Sequence, residues 1–306
     1  MSRIHDALKK AEEERLTALG HSPDTKGTQD ASAVRFSAVV PEIVLEDETE
    51  FSKAVPSSAE HVSTLPVVDR LQNCSRPVWA PTKDAIFMTA QDNSSPGLEE
   101  FRTLRAKLFQ IRAKRPLKTI LISSALPTEG KSFVSANLAQ AFARQRGSRT
   151  LLIDADLRKP HMHQLFGAPS SPGLGDYLAG KATEFEIIQR SANIEDLFFV
   201  PGGKPNANAA ELIGNGRIKH LFDAVGPLFS WIVIDSSPVI PVSDPTRLAE
   251  ISDGVLLVVQ AGATSHVVAE KAKREFHDAP LLGVVFNQVK AKENPYYKYS
   301  YSHYRR

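Results

Sequence analysis

The stretch ALPTEGKS, residues 125–132, sets a glycine, a lysine and a hydroxyl in consecutive positions directly after the apolar run TILISS. Those residue types in that order suit phosphate chemistry. Gly130 lets the backbone turn close to an anion, and the amides from Thr128 through Glu129 to Phe133 can point at phosphate oxygens where a helix begins. Lys131 is expected to bridge the β- and γ-phosphates of a nucleotide, and the Ser132 hydroxyl to hold magnesium. One position departs from the usual phosphate-loop form: Ala125 stands where the first glycine is found. The loop is followed by SFVSANLAQAFARQ, which reads as a helix, so the motif has a strand before it and a helix after it.

Two later runs end in acids. LLIDADLRKP carries Asp154 and Asp156, which alternation along a strand places on one side of the chain. WIVIDSSP ends its apolar residues at Asp235, as a Walker B acid does. Carboxylates at the carboxyl ends of strands in an open α/β sheet lie where ligands bind, and there they hold magnesium or polarise water. A single such Asp is more often a helix cap, but two such sites after a phosphate loop, in this order, argue for a nucleotide site. Asn287, ending GVVFN, has two readings: an amide that reads a nucleotide base, or a turn-forming residue. The His161–His163 stretch HMH has no Cys or third His nearby and is read as a solvated loop.

The elements that must position these residues follow from hydrophobic period. Six β-branched apolar runs, TILISSA, TLLIDAD, LFFVPGG, WIVIDSS, GVLLVVQ and LLGVVFN, alternate with helical stretches. Runs apolar on both faces and separated by helices predict an α/β fold, a mostly parallel doubly wound sheet of P-loop NTPase type. Its first helix, PGLEEFRTLRAKLFQIR, lines Leu98, Phe101, Leu104, Leu108 and Ile111 along one stripe. Residues 95–289 form this domain. Residues 1–20 read as an amphipathic helix that either docks on a partner or stays solvated. Residues 21–94, broken by Pro23, Pro41, Pro56, Pro66, Pro77 and Pro81, read as a mostly disordered linker.

Residues 290–306 pose a separate question. The chain of 306 residues has six tyrosines, and five of them, Tyr296, Tyr297, Tyr299, Tyr301 and Tyr304, lie in this polar tail. From Lys290 onward there are five Lys or Arg against one Glu, a net +4, while the whole chain carries only +2. The single cysteine, Cys74, rules out a disulfide framework within the chain and suits a reducing cytosol. No uncharged apolar run approaches the ~18 residues of a spanning helix, and the N-terminus lacks the apolar stretch of a secretory signal. The expected location is the cytoplasm.

The succession of ALPTEGKS, LLIDADLRKP, IVIDSSP and a terminal tyrosine cluster resembles the bacterial tyrosine autokinases of capsule and exopolysaccharide synthesis, over residues 95–306. The opening SRIHDALKKAEEER is similar to exopolysaccharide-locus members. The resemblance implies ATP and Mg2+ as cofactors, Asp154 as the base facing an incoming tyrosine, and Asp156 and Asp235 as supports for magnesium. It implies that the five tail tyrosines are substrates, which would explain why they sit outside any core. Glu99, Arg102 and Arg105 reproduce a family E-x2-R-x2-R pattern at the contact between subunits of a ring, and their spacing puts the three charges along one helix face. Implied partners are further copies of the chain, the cytoplasmic tail of a membrane chain-length determinant or polysaccharide co-polymerase, and a tyrosine phosphatase. The chain would then be cytoplasmic and recruited to the membrane. Departures are Ser237 where the family has proline, Thr128 where glycine is common, and Ala209 for a proline in PNANAAELI.

Partitioning and septum-positioning ATPases share the expected sheet. Their phosphate loop carries an extra lysine near its start, and SSALPTEGKS has none before Lys131. A nucleic-acid binder could use the basic, aromatic tail, but that reading leaves the phosphate loop idle. No nucleic-acid partner is expected.

Overall fold

The computed structural model describes residues 43–44, 71–85, 87, 96–277 and 279–289. The expectations for the N-terminal helix and for the five tail tyrosines lie outside the described residues.

All six apolar runs are strands. They are β2 (Thr119–Ser124), β3 (Thr150–Asp154), β5 (Leu197–Val200), β6 (Trp231–Asp235), β7 (Gly254–Gln260) and β8 (Leu281–Asn287). With β1 (Ile43–Val44) and β4 (Gln189–Arg190) they form one sheet in the order β1-β8-β7-β2-β6-β3-β5-β4. The six central strands pair in parallel, and only β1 and β4 at the edges run antiparallel to their neighbours. Every residue of β2, β3 and β6 is buried, as expected of parallel strands covered on both faces.

The pleat sorts the core into two layers. One face of the sheet, with Leu121, Leu151, Ile153, Ile232, Ile234 and Leu257, packs against α4 (Leu174–Leu178), α5 (Ala209–Gly214), α6 (Arg217–Val225), α7 (Asp244–Ala249) and α8 (His266–Glu275). The other, with Ile120, Ile122, Leu152, Val233 and Leu256, packs against α1 (Pro96–Arg112), α2 (Lys131–Ala143) and α3 (Met162–Phe166). The predicted α1 stripe is confirmed: Leu98, Phe101, Leu104 and Leu108 are buried and Ile111 packs at its edge. Helix α2 is buried at every position except Phe133, so it is the central pillar of its layer.

The domain begins earlier than position 95. Residues 71–85 fall in the segment read as linker, yet they are packed on the fold. Trp79 stacks on Phe166 with centroids 5.2 Å apart and meets Phe199 edge-on. Leu71, Cys74, Trp79, Ala85 and Phe87 are all buried. The backbone is tied down as well: Arg190 donates its amide to Ser75 (2.8 Å), Asn137 its side-chain amide to Asp84 (2.8 Å), and Arg144 its guanidinium to Phe87. Pro77 and Pro81 erase any hydrophobic period here, so the apolar residues anchor one at a time rather than as a stripe.

Candidate nucleotide and phosphoryl-transfer site

Strand β2 lies between β7 and β6, and β6 in turn beside β3. The loop leaving β2 therefore opens at the edge where the acids of β6 and β3 end. Gly130 adopts the left-handed region, φ 90°, and caps α2, whose first residues are Lys131 and Ser132. A Cβ on Gly130 would lie 1.8 Å from Nδ2 of Asn287, so glycine is required there by contact as well as by φ. Thr128 also has positive φ, 67°, a strained conformation for a β-branched residue.

The sequence-predicted acids converge on the loop. Asp154 and Asp235 are paired in register on β3 and β6. Asp235 is fully buried and accepts the Ser132 hydroxyl at 2.6 Å and the Ser135 hydroxyl at 2.9 Å. Lys131 Nζ lies 3.3 Å from Asp156 Oδ2 and 3.3 Å from Ser132 Oγ. Burial alone would lower the Lys131 pKa, but the charges of Asp235 and Asp156 outweigh it and raise it above the ordinary value. Asp156 is held in place by the Ser237 hydroxyl at 2.9 Å and the Lys159 amide at 3.1 Å. Ser237 is thus a working departure from the family's proline, which has no hydroxyl to donate.

Asp154, the acid expected to face an incoming tyrosine, is fully buried. It accepts the amides of Asp156 (3.2 Å), His161 (3.2 Å) and Met162 (3.1 Å), and so shapes the loop that carries Asp156. Gly202 lies against it: a Cβ there would approach Asp154 Cγ to 3.4 Å. Burial, then the neighbouring Asp235 charge, push its pKa up to about 8. Burial also raises the pKa of Asp235, against the pull of Lys131 and the two serine hydroxyls.

Other expectations are corrected. Asn287 does not present its amide to open space; Nδ2 donates to the Glu129 carbonyl at 2.8 Å, bracing the phosphate loop. The HMH stretch is no solvated loop. Met162 and His163 open helix α3, Met162 is completely buried, and His163 Nδ1 is buried without a partner. Among the described residues no group of His, Cys, Asp or Glu is arranged to hold a metal unaided. The three charges of α1 lie close enough to interact, but only Glu99 is exposed. Glu99 and Arg102 pair at 3.1 Å on the surface, whereas Arg105 turns inward to the Ala141 carbonyl at 2.6 Å.

Sequence reading missed a second tie between the acid loops. Arg158 grips Asp244 with two hydrogen bonds, Nε to Oδ2 at 2.7 Å and Nη2 to Oδ1 at 3.2 Å. It joins the loop after β3 to the N-terminus of α7. The signal was present in LRKP and SDP, but nothing local connects residues 86 positions apart.

Strand order, loop and acids define a P-loop nucleotide-binding domain. Residues 128–301 match the family described as CobQ/CobB/MinD/ParA nucleotide binding domain. The tyrosine-protein kinase YwqD of Bacillus subtilis is 34% identical over 219 residues, 71% of this chain and 91% of that protein. The putative tyrosine-protein kinase CapB of Staphylococcus aureus is 33% identical over 205 residues, 66% of this chain and 89% of that one. Among solved structures, the chimerical protein CapA2B2 matches with a TM-score of 0.63 at 30% identity, covering 72% of this chain and 98% of its own. The chain belongs to the bacterial tyrosine-protein kinase family.

Proposed function

We propose that this kinase transfers the γ-phosphoryl group of ATP to tyrosines 296, 297, 299, 301 and 304 of a neighbouring copy. The observation that carries the reading is the cluster of Lys131, Ser132, Asp156 and Asp235 within hydrogen-bond range at the start of α2. When all are ionised, Asp154, Asp156 and Asp235 outnumber Lys131 by two charges, a deficit that a divalent cation on bound phosphates fits. Magnesium, taking Ser132 with Asp156 or Asp235 and phosphate oxygens, would neutralise charge on the transferring group. The amides of residues 128–133, the backbone beside Ala125 and the Lys131 ammonium would cradle the phosphates. Asn287, at the foot of that loop, would brace it through its bond to the Glu129 carbonyl.

In the transfer, a bond forms between the tyrosyl oxygen and the γ-phosphorus, the bond from that phosphorus to the β-γ bridging oxygen breaks, and ADP leaves. The tyrosyl proton goes to Asp154 once that carboxyl is ionised, a state that its pKa of about 8 makes more populated as pH rises. Exposed Glu99 and half-buried Arg102, paired on α1, are the residues proposed to meet a neighbouring copy in a ring. The chain would act in the cytoplasm at the cytoplasmic tail of a membrane polysaccharide co-polymerase, regulating capsule or exopolysaccharide polymerisation and export, with a tyrosine phosphatase reversing the modification. Each phosphotyrosine adds roughly −1.5 to −2 charges, so a fully modified tail would turn from basic to acidic and leave the ring.

The test is mass-spectrometric mapping of phosphotyrosine after incubation of purified protein with Mg-ATP. Lys131→Met should show none. Asp154→Asn should show none while still binding Mg-ADP by calorimetry. Autophosphorylation of Asp154→Asn at the normal rate would remove the proton-acceptor role. ATP hydrolysis with no phosphotyrosine on the wild-type chain would favour a switch ATPase instead.

A further inference from the structure

The phosphate loop is gripped from outside its own sequence. The Glu129 side chain turns away from the phosphate side and is 2% exposed. Its Oε2 accepts the Leu126 amide at 2.6 Å, closing the loop on itself. Its Oε1 accepts the Gln260 amide at 3.4 Å and the Thr264 hydroxyl, the first at the last residue of β7 and the second just beyond it. From β8, Asn287 donates to the Glu129 carbonyl, and Gln288 Nε2 reaches the Thr128 carbonyl at 3.2 Å. Gln288 and Thr128, joined by that bond, are the two non-glycine residues with positive φ among the described residues. Strained backbone persists only where its surroundings over-determine it. Here the surroundings are the ends of β7 and β8.

We infer that Thr264 is a positioning residue for nucleotide binding: acting through Glu129, it holds the phosphate loop in its anion-receiving shape. The inference rests on the nucleotide-site reading and deepens it. A loop pre-formed by these bonds need not be ordered by the ligand, so the brace acts on affinity. Thr264 is not placed to touch the transferring group, so the rate at saturating ATP depends on it far less. The hydroxyl matters and the β-branch does not, because only Oγ1 reaches Glu129.

The experiment compares the full chain with Thr264→Val, which keeps the shape and loses the donor, and Thr264→Ser, which keeps the donor. Mg-ADP affinity is read by calorimetry, and KM for ATP and kcat from phosphotyrosine formation. Loss of one hydrogen bond to a buried carboxylate predicts about tenfold weaker Mg-ADP binding and a matching rise in KM for Thr264→Val. Its kcat should stay within about twofold, by the same partition of binding from rate, and Thr264→Ser should behave as wild type. Unchanged affinity in Thr264→Val, a fall in kcat without a rise in KM, or a Thr264→Ser as weak as the valine variant would each overturn the inference. Should Thr264→Val fail to fold, Gln288→Ala, which removes the clasp on Thr128, takes the same test with the same expectation. Failure of the wild-type chain to bind Mg-ADP would overturn the underlying nucleotide-site reading, and is thereby told apart.

Discussion

Three buried carboxylates around one ammonium make the site's residues adversaries of the fold before nucleotide arrives. The unfolded chain ionises Asp154 near the ordinary value of 3.8, whereas the folded chain holds its proton up to about 8. Between those values the folded state carries more protons than the unfolded one, so stability declines as pH rises. The nucleotide-free protein should therefore melt at a lower temperature at pH 8 than at pH 6. Mg-ADP should raise the melting temperature more at pH 8, because the cation relieves the repulsion that ionisation creates. Scanning fluorimetry of wild type and Asp154→Asn, each with and without Mg-ADP, checks this. An equally steep pH decline in Asp154→Asn would move the origin of the effect to other groups.

At the scale of elements, α1 carries both an exposed pair and an inward anchor. Arg105→Ala should cost about 1–2 kcal/mol of unfolding stability, since it strips a charged donor from a carbonyl in the last turn of α2. Glu99→Ala and Arg102→Ala should each stay within about 0.5 kcal/mol, as exposed pairs do. Urea unfolding separates them, and light scattering on Glu99→Ala and Arg102→Ala then reports assembly without a folding artefact. A stability loss at Glu99 as large as at Arg105 would contradict this division. The same contrast shows what was legible beforehand. The six strands could be read because a buried parallel strand writes its whole environment into consecutive apolar residues. The phosphate loop could be read because its chemistry is contiguous. Period alone could not tell that Arg105 turns inward, since the helix stripe fixes a face only to within a residue or so. The Arg158–Asp244 and Glu129–Thr264 ties join residues distant in sequence, and Ser237 looked only like a lost proline. Asp154 is packed against Gly202, which arrives from another strand end.

For the molecule as a whole, residues 71–85 and Phe87 act as a strap over α2 and α3. A fragment beginning at residue 71 loses the two-residue edge strand β1 but keeps the strap, and should melt close to the full chain. One beginning at residue 96 should lose at least about 3 kcal/mol, the scale of removing one buried Trp, and expose Phe166 to hydrophobic dyes. Cys74 reports on the strap directly. Burial pushes its thiol pKa up to about 11, so at pH 8 it stays protonated and alkylates slowly until the strap opens. Rapid alkylation of the native chain would show the strap to be loose. The end of β8 has a consequence for kinetics. It lies four strand spacings, about 19 Å across the sheet, from β3, and Asp154 sits further back along the strand direction. The chain from Asn287 to Tyr296 can span up to roughly 30 Å, and to Tyr304 nearly twice that. A copy's own tyrosines are therefore leashed within range of its own acid, at effective concentrations that reach millimolar for short tethers. Distance alone does not forbid a unimolecular reaction. The molecularity of autophosphorylation then becomes the measurement that separates leash from neighbour. Transfer between copies requires the initial rate per molecule to fall in proportion as free protein is diluted. A rate per molecule that holds constant over a hundredfold dilution, at concentrations where light scattering shows only monomer, would mean that each chain signs its own tail.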